Sequence, residues 1–273
     1  MATQSGLVEA NGTKLYHETR GDGPTVLLIP GATGDAGHFT KTAEVLADEF
    51  TVITYDRRGN SRSPNPAGWA VTTIAEQADD AAGLIRALGV EPAVVFGTSG
   101  GADILLELIL RHADVLRGAI VHEPPLMGVL ENAAEFSAMF QQIVEDALAQ
   151  GGTRGAMELF LRMNAGDEVF EAMDPELRER LLGNGDVFFS AELESMATYL
   201  PDDADLAGVK VPVIVATGSP NRSADLLYQI TASEWVAEAF GTAVVELPGL
   251  HAPYLSVPEA FADALRPLLR KLS

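Results

Sequence analysis

The chain has 273 residues, 47% of them apolar, with 26 glycines and 15 prolines, which suits one large α/β domain or a core carrying a single insertion. Its 18 basic residues stand against 39 acidic ones, a formal net charge of −21. That balance argues against a nucleic-acid backbone or an anionic membrane surface as partner and disfavours strongly anionic substrates. Cysteine is absent, so disulfides, thiolate metal sites and a cysteine nucleophile are excluded. No apolar run reaches the ~20 residues of a membrane span, and Met1-Ala2-Thr3-Gln4-Ser5-Gly6 lacks the basic and apolar regions of a signal peptide. The expectation is a soluble cytoplasmic protein.

In chain order, residues 15–19 alternate like a strand, and Thr25-Val26-Leu27-Leu28-Ile29 is an apolar run stopped by Pro30-Gly31. Helical spacing follows at Phe39, Ala43, Leu46 and Phe50. Thr51-Val52-Ile53-Thr54-Tyr55 reads as a strand ended by Asp56-Arg57-Arg58-Gly59-Asn60-Ser61, a turn whose charges are expected to fix the loop rather than touch substrate. Thr73 and Glu76 form a capping box ahead of Ile74, Ala78, Ala81, Ile85 and Leu88, with Gly89 placed as the C′ glycine. A strand over 92–96 leads into a helix over 102–112 that is apolar almost all round, hence buried. Further strands are expected at 119–121, 211–216 and 243–247, and a closing helix capped by Ser256 and Glu259. Short β-branched runs alternating with helices imply a mostly parallel sheet covered on both faces. Between these strands, residues 124–207 read as helices only, around 134–149, 153–163, 174–182 and 190–199. This sets a division into a core (1–123 and 208–273) and a helical lid (124–207).

The chemistry centres on Gly97-Thr98-Ser99-Gly100-Gly101, which joins a buried strand to a buried helix. There a nucleophile elbow projects its serine at a helix N-terminus, where free N–H groups stabilise an oxyanion. A phosphate-cradling loop would need the lysine or the glycine spacing that is missing here. A serine needs a base to take its proton. Among five histidines, His17 lies mid-strand, His112 ends a helix, His122 ends a strand, and His38 reads as pocket wall or surface. His251 follows the last strand, and loops after parallel strands converge on one sheet edge. It is therefore the candidate base. The usual place of the acid, the turn Gly218-Ser219-Pro220-Asn221, holds no carboxylate. Two candidates remain: Glu123, at the end of the strand beside the elbow strand, and Asp225; reach towards the histidine favours Glu123. The N–H groups of Ala32 and Gly100 are the candidate oxyanion donors.

These segments together resemble the α/β-hydrolase superfamily, whose fold implies a mostly parallel eight-stranded sheet, helices on both faces and a helical lid before the last two strands. Within it, Ala119-Ile120-Val121-His122-Glu123-Pro124-Pro125 and Pro248-Gly249-Leu250-His251-Ala252-Pro253-Tyr254-Leu255-Ser256 look like segments of the zearalenone lactonases. So does the turn Ala216-Thr217-Gly218-Ser219-Pro220. That family opens a resorcylic macrolide lactone with a Ser–Glu–His triad under a helical lid. The resemblance implies Ser99, Glu123 and His251 in those roles, with Ala32 and Gly100 as oxyanion donors. The lid resembles it poorly. The family's substrate-packing tryptophan has no counterpart, since Trp69 and Trp235 lie elsewhere, and Phe188 or Phe189 is the candidate replacement.

The expectation is a serine hydrolase that cleaves a carboxylic ester or lactone through an acyl-enzyme, with no cofactor and no metal. Its substrate is an apolar small molecule, contacted by Gly31, Thr98, Met127, Phe188, Phe189 and Pro220. A haloperoxidase or C–C hydrolase with the same triad, and a non-catalytic receptor on the same fold, are alternatives. Serine at position 99 disfavours a dehalogenase or an epoxide hydrolase. A homodimer is left open.

Overall fold

The computed structural model describes residues 3–219 and 227–273. Eight strands form one sheet: β1 (Gln4–Ala10), β2 (Thr13–Arg20), β3 (Thr25–Ile29), β4 (Thr51–Tyr55), β5 (Ala93–Thr98), β6 (Leu116–His122), β7 (Val213–Thr217) and β8 (Val244–Glu246). Their order is β1-β2-β4-β3-β5-β6-β7-β8, with β1 and β2 antiparallel to their neighbours and every pairing from β4 to β8 parallel. The short runs of Val, Ile and Leu form strands because their side chains pack on both faces at once. Along β3, Leu27 and Ile29 enter one core with Val95, Ala119 and Val121, whereas Val26 and Leu28 enter the other with Phe96 and Ile120.

The first strand escapes the apolar pattern because an edge strand buries little; its burial alternates only weakly. The local signal is the turn that follows. Asn11 and Gly12 both have positive φ (45° and 72°), the geometry of a tight hairpin that Asn-Gly favours.

Helices α1 (Thr40–Leu46), α2 (Ile74–Leu88) and α3 (Gly100–Arg111) follow β3, β4 and β5. The Thr73 hydroxyl accepts the Glu76 N–H at 3.0 Å, and Gly89 closes α2 in the left-handed conformation (φ 67°). Only half of a capping box forms. The Glu76 carboxylate turns instead to Arg58 (2.7 Å), the Thr72 hydroxyl (2.8 Å) and the Trp69 indole (3.2 Å).

Between β6 and β7 all regular structure is helical. A long helix, α4 (Ala133–Ala165), is broken at Gly152 (φ 61°) into two arms, close to the two helices read from the sequence. Two short helices follow, α5 (Asp167–Ala172) and α6 (Pro175–Gly183). After α7 (Gly185–Val187), the stretch expected as one helix over 190–199 is divided between a π turn (Phe188–Glu192) and α8 (Leu193–Thr198). After α9 (Asp203–Ala207) the chain returns to the sheet, then forms α10 (Tyr228–Ala239), α11 (Pro253–Ser256) and α12 (Pro258–Leu272). Ser256 does not cap the last helix. Its hydroxyl donates to the Ala252 carbonyl at 3.2 Å, and the capping position is Val257, with Pro258 supplying the fixed φ of a first helical residue. Among the described residues no helix is long and apolar enough to cross a membrane.

Replacing Thr73 by alanine removes one N-cap bond from a buried helix while Glu76 keeps its other partners. The expected loss is about 1 kcal/mol of unfolding free energy, read from urea titration. An unchanged midpoint would show that the cap contributes nothing.

Candidate active site

One residue, Ser99, separates β5 from α3, with φ 53° and ψ −133°. A non-glycine residue adopts that backbone only when its surroundings force it. Here the surroundings are glycines. A Cβ on Gly97 would stand 2.3 Å from the Gly101 carbonyl oxygen, and one on Gly101 would stand 2.4 Å from that of Ile29. The loop after β3 closes from the other side, since a Cβ on Gly31 would stand 2.9 Å from the Ser99 Cβ. Strand, helix and loop thus approach to backbone contact, and the serine side chain goes the one way left open.

Glu123 directly follows β6 and also has positive φ (49°). Its carboxylate is fully buried. One oxygen accepts the Thr217 hydroxyl (2.8 Å) and the Gly218 N–H (2.7 Å); the other lies 2.5 Å from His251 Nδ1. The donors come from the last residue of β7 and the first of the turn after it, so a carboxylate from the end of β6 is fixed beside a turn whose own sequence offers no acid at 218–221. Asn221, Asp225 and Pro220 lie outside the described residues.

With Nδ1 facing a carboxylate, the proton belongs on Nδ1 and the lone pair on Nε2, an assignment inferred from the partners. Nε2 accepts from the Gln229 side-chain amide at 3.2 Å. Ser99 and His251 face a common small cavity, walled also by Ala32, His38 and Tyr254, but the imidazole Nε2 bonds Gln229 rather than Ser99. Nothing in the sequence around Gln229 marks it. It reaches the imidazole because α10 packs beside β7.

A second space opens over Ser99, Ala32 and Gly100, with Met127 and Phe188 in its walls. Phe140, Phe160, Asn164 and Tyr228 join this space to a larger apolar groove between the two arms of α4, where Phe189 lies. Thr98 is a correction. Fully buried behind the elbow, it is absent from these walls, and its hydroxyl pairs with His122 Nδ1 at 2.9 Å. Gly31 likewise backs the serine and does not line the space.

Of the other histidines, His112 meets Asp79 at 2.7 Å, and His38 Nε2 meets the Thr33 hydroxyl at 2.9 Å. Burial pushes the His38 imidazole down to about 4, so it is neutral near pH 7. Asp103, one turn along α3 from Ser99, is fully buried, and neither carboxyl oxygen has a hydrogen-bond partner among the described residues. Burial raises its pKa well above the usual carboxylate range. No group of three or more His, Asp or Glu able to hold a metal occurs among the described residues.

The turn after β4 ties the site to the helices above it. The Arg57 guanidinium grips both Glu192 carboxylate oxygens (2.7 and 2.8 Å) and the Gly31 carbonyl (3.0 Å), with Gln77 as a further acceptor. Asn184 donates to the Thr33 carbonyl, and Arg180 to Asp35 at 2.8 Å.

A serine held in a strained strand-to-helix elbow, a histidine after the last strand and a buried carboxylate on that histidine's Nδ1 define a class. The chain belongs to the alpha/beta hydrolase family, whose model matches residues 26–264. It is 34% identical to the uncharacterised hydrolase YraK of Bacillus subtilis strain 168, covering 99% of this chain and 98% of that one. It is 28% identical to a zearalenone hydrolase of Bionectria ochroleuca over 96% of each chain. Among solved structures, a thermophilic esterase from Thermogutta terrifontis superposes with a TM-score of 0.74 at 25% identity, covering 98% of this chain and 99% of that one.

Asp103 yields a test with a defined sign. A carboxyl whose pKa is higher folded than unfolded binds more protons in the folded state, so it costs stability as pH rises from about 4 through the folded pKa. Asp103→Asn removes this titration. The stability of the variant relative to wild type should therefore rise between pH 4.5 and pH 7.5 in urea titrations; equal differences at the two pH values would refute the buried acid.

Proposed function

We propose that this protein is a serine hydrolase that cleaves an apolar carboxylic ester or lactone through an acyl-enzyme. The observation that carries the reading is the serine on a strained elbow, sharing a cavity with a histidine whose far nitrogen is hydrogen-bonded to a fully buried glutamate. In this reading Ser99 Oγ attacks the ester carbonyl carbon and His251 Nε2 takes its proton. For that, the Gln229 amide must release the nitrogen it holds at 3.2 Å. Glu123 stabilises the imidazolium and keeps the proton of the resting state on Nδ1. The Ala32 and Gly100 N–H groups receive the charge that develops on the carbonyl oxygen. The imidazolium protonates the leaving alkoxide, and a water deprotonated by His251 then releases the acid and frees Ser99.

The apolar character of the substrate rests on the space over Ser99, whose walls include Met127, Phe140, Phe160, Phe188, Leu193 and Met196, and on the groove continuing from it. The helices over 124–207 act as a lid in this reading. Similarity to a zearalenone hydrolase and to an esterase supports ester chemistry and makes a macrocyclic lactone a candidate substrate.

Two measurements test the proposal. A fluorophosphonate should label the protein once, at Ser99, and Glu123→Gln should lower kcat by about 10³–10⁴-fold with the fold intact, the scale seen when a triad acid loses its charge. A folded protein that resists the probe, or a Glu123→Gln variant of near-normal turnover, would sink the reading. In a p-nitrophenyl ester series, each methylene buried in the groove is worth about 0.8 kcal/mol, so kcat/KM should climb roughly fourfold per carbon from acetate to hexanoate. A flat or falling series would place the acyl chain outside it.

A further inference from the structure

The buried charges beside the site sit against the backbone that would hold the oxyanion. Arg57 and Glu192 are essentially inaccessible to water, with side chains 1% and 0% exposed. A buried ion pair seldom stabilises a fold more than a well-packed apolar pair would, because both ions lose their hydration. Its geometry offers another account. Arg57 Nη2 reaches past Glu192 to the Gly31 carbonyl, and the Arg57 N–H holds the Gly34 carbonyl at 2.7 Å, so one residue braces both ends of the turn after β3. The 31–32 peptide is trans, because the one cis bond among the described residues is Glu91-Pro92. In a trans peptide the C=O and the following N–H point in opposite directions. The guanidinium on the Gly31 oxygen, with the Gly34 N–H that the same oxygen accepts at 3.2 Å, therefore fixes the direction of the Ala32 N–H, and its charge draws electron density from it.

We propose that Arg57 is a positioning residue: by gripping the Gly31 carbonyl it aims the Ala32 N–H at the oxyanion position, and it is held there by Glu192 from the helices above. The inference rests on the reading of Ser99 as nucleophile. Glu192 ends a π turn in which the Leu193 N–H bonds the Phe188 carbonyl, and Asn60 donates to its carboxylate at 2.9 Å. Such turns are rare and concentrate at functional sites. The same turn presents Phe188 to the space over Ser99. A substrate that packs on Phe188 therefore steadies the segment that holds the arginine, and docking of the helices and completion of the oxyanion site become one event.

The test compares Arg57→Lys, Glu192→Gln and the double variant Arg57→Met/Glu192→Leu with wild type and Ser99→Ala, on one p-nitrophenyl ester. Lysine keeps the charge but cannot fork between Glu192 and Gly31. Expected are a 10- to 100-fold fall in kcat for Arg57→Lys and about 10²–10³-fold for the double variant, the scale of one lost oxyanion donor, with KM within about threefold. A trifluoromethyl ketone, which needs the oxyanion site for its tetrahedral adduct, should weaken in step with kcat/KM, while the matching methyl ketone, bound without an adduct, should keep its affinity. Arg58→Lys, in the neighbouring buried pair with Asp80, should lower Tm and leave kcat unchanged. Should the double variant fail to fold, the single variants decide. Wild-type kcat and trifluoromethyl ketone affinity in folded Arg57→Lys and Glu192→Gln would overturn the positioning role. So would losses that affect both ketones alike and follow Tm. Full activity in Ser99→Ala would overturn the nucleophile reading, and the clamp with it.

Discussion

Adjacent strands that run the same way deliver their carboxyl ends to one edge, and this chain places six of them there, from β4 to β8. The register is tight: Ile29 pairs with Gly97, Thr98 with His122, and His122 with Ala216. Residues just past those pairs are therefore neighbours whatever their distance along the chain. Gly31, Ser99, Glu123 and Gly218 come together in this way, and His251 reaches them from the loop beyond β8. The hydrogen bonds that Glu123 makes to Thr217, Gly218 and His251 follow from that alignment.

Alignment delivers backbone ends, and strain then aims the side chains. Ser99 and Glu123 both have positive φ, a conformation that costs about 1–3 kcal/mol at a non-glycine residue. Each is held by its surroundings: Ser99 by glycine backbones on both sides, Glu123 by the hydrogen bonds of its carboxylate to Thr217, Gly218 and His251. The cores on the two faces of the sheet supply the rigidity that makes such strain tolerable.

Buried charge does a related task one layer out. Arg57 with Glu192, and Arg58 with Asp80, are two buried pairs in adjacent positions of one turn. Both reach α2, Arg58 through Asp80 and Glu76 and Arg57 through Gln77. Arg57 alone of the two also joins the loop beside Ser99 to Glu192, among the helices between β6 and β7. The formal charge of −21 says nothing of this, because most of that excess lies on exposed faces where pairing is worth little.

Much of the molecule was legible in the linear chain. The runs 25–29 and 51–55, a strand over 92–96 that the fold extends to Thr98, the start and stop of α2, and two helical stretches after β6 all follow from local patterns of apolar residues, Thr73 and Gly89. Ser99, Glu123 and His251 could be singled out because a parallel sheet obliges strand ends to converge. Local pattern could not show that Thr98 points away from the space over the serine, or that Ser256 leaves the last helix uncapped. Nor could it show that Gln229 meets the imidazole, or that a π turn carries Glu192 to Arg57, 135 positions away in the chain. The physical reason is range: propensity and periodicity act over a few residues, while the direction of a buried polar group is set by whichever partner the packed chain brings within 3 Å.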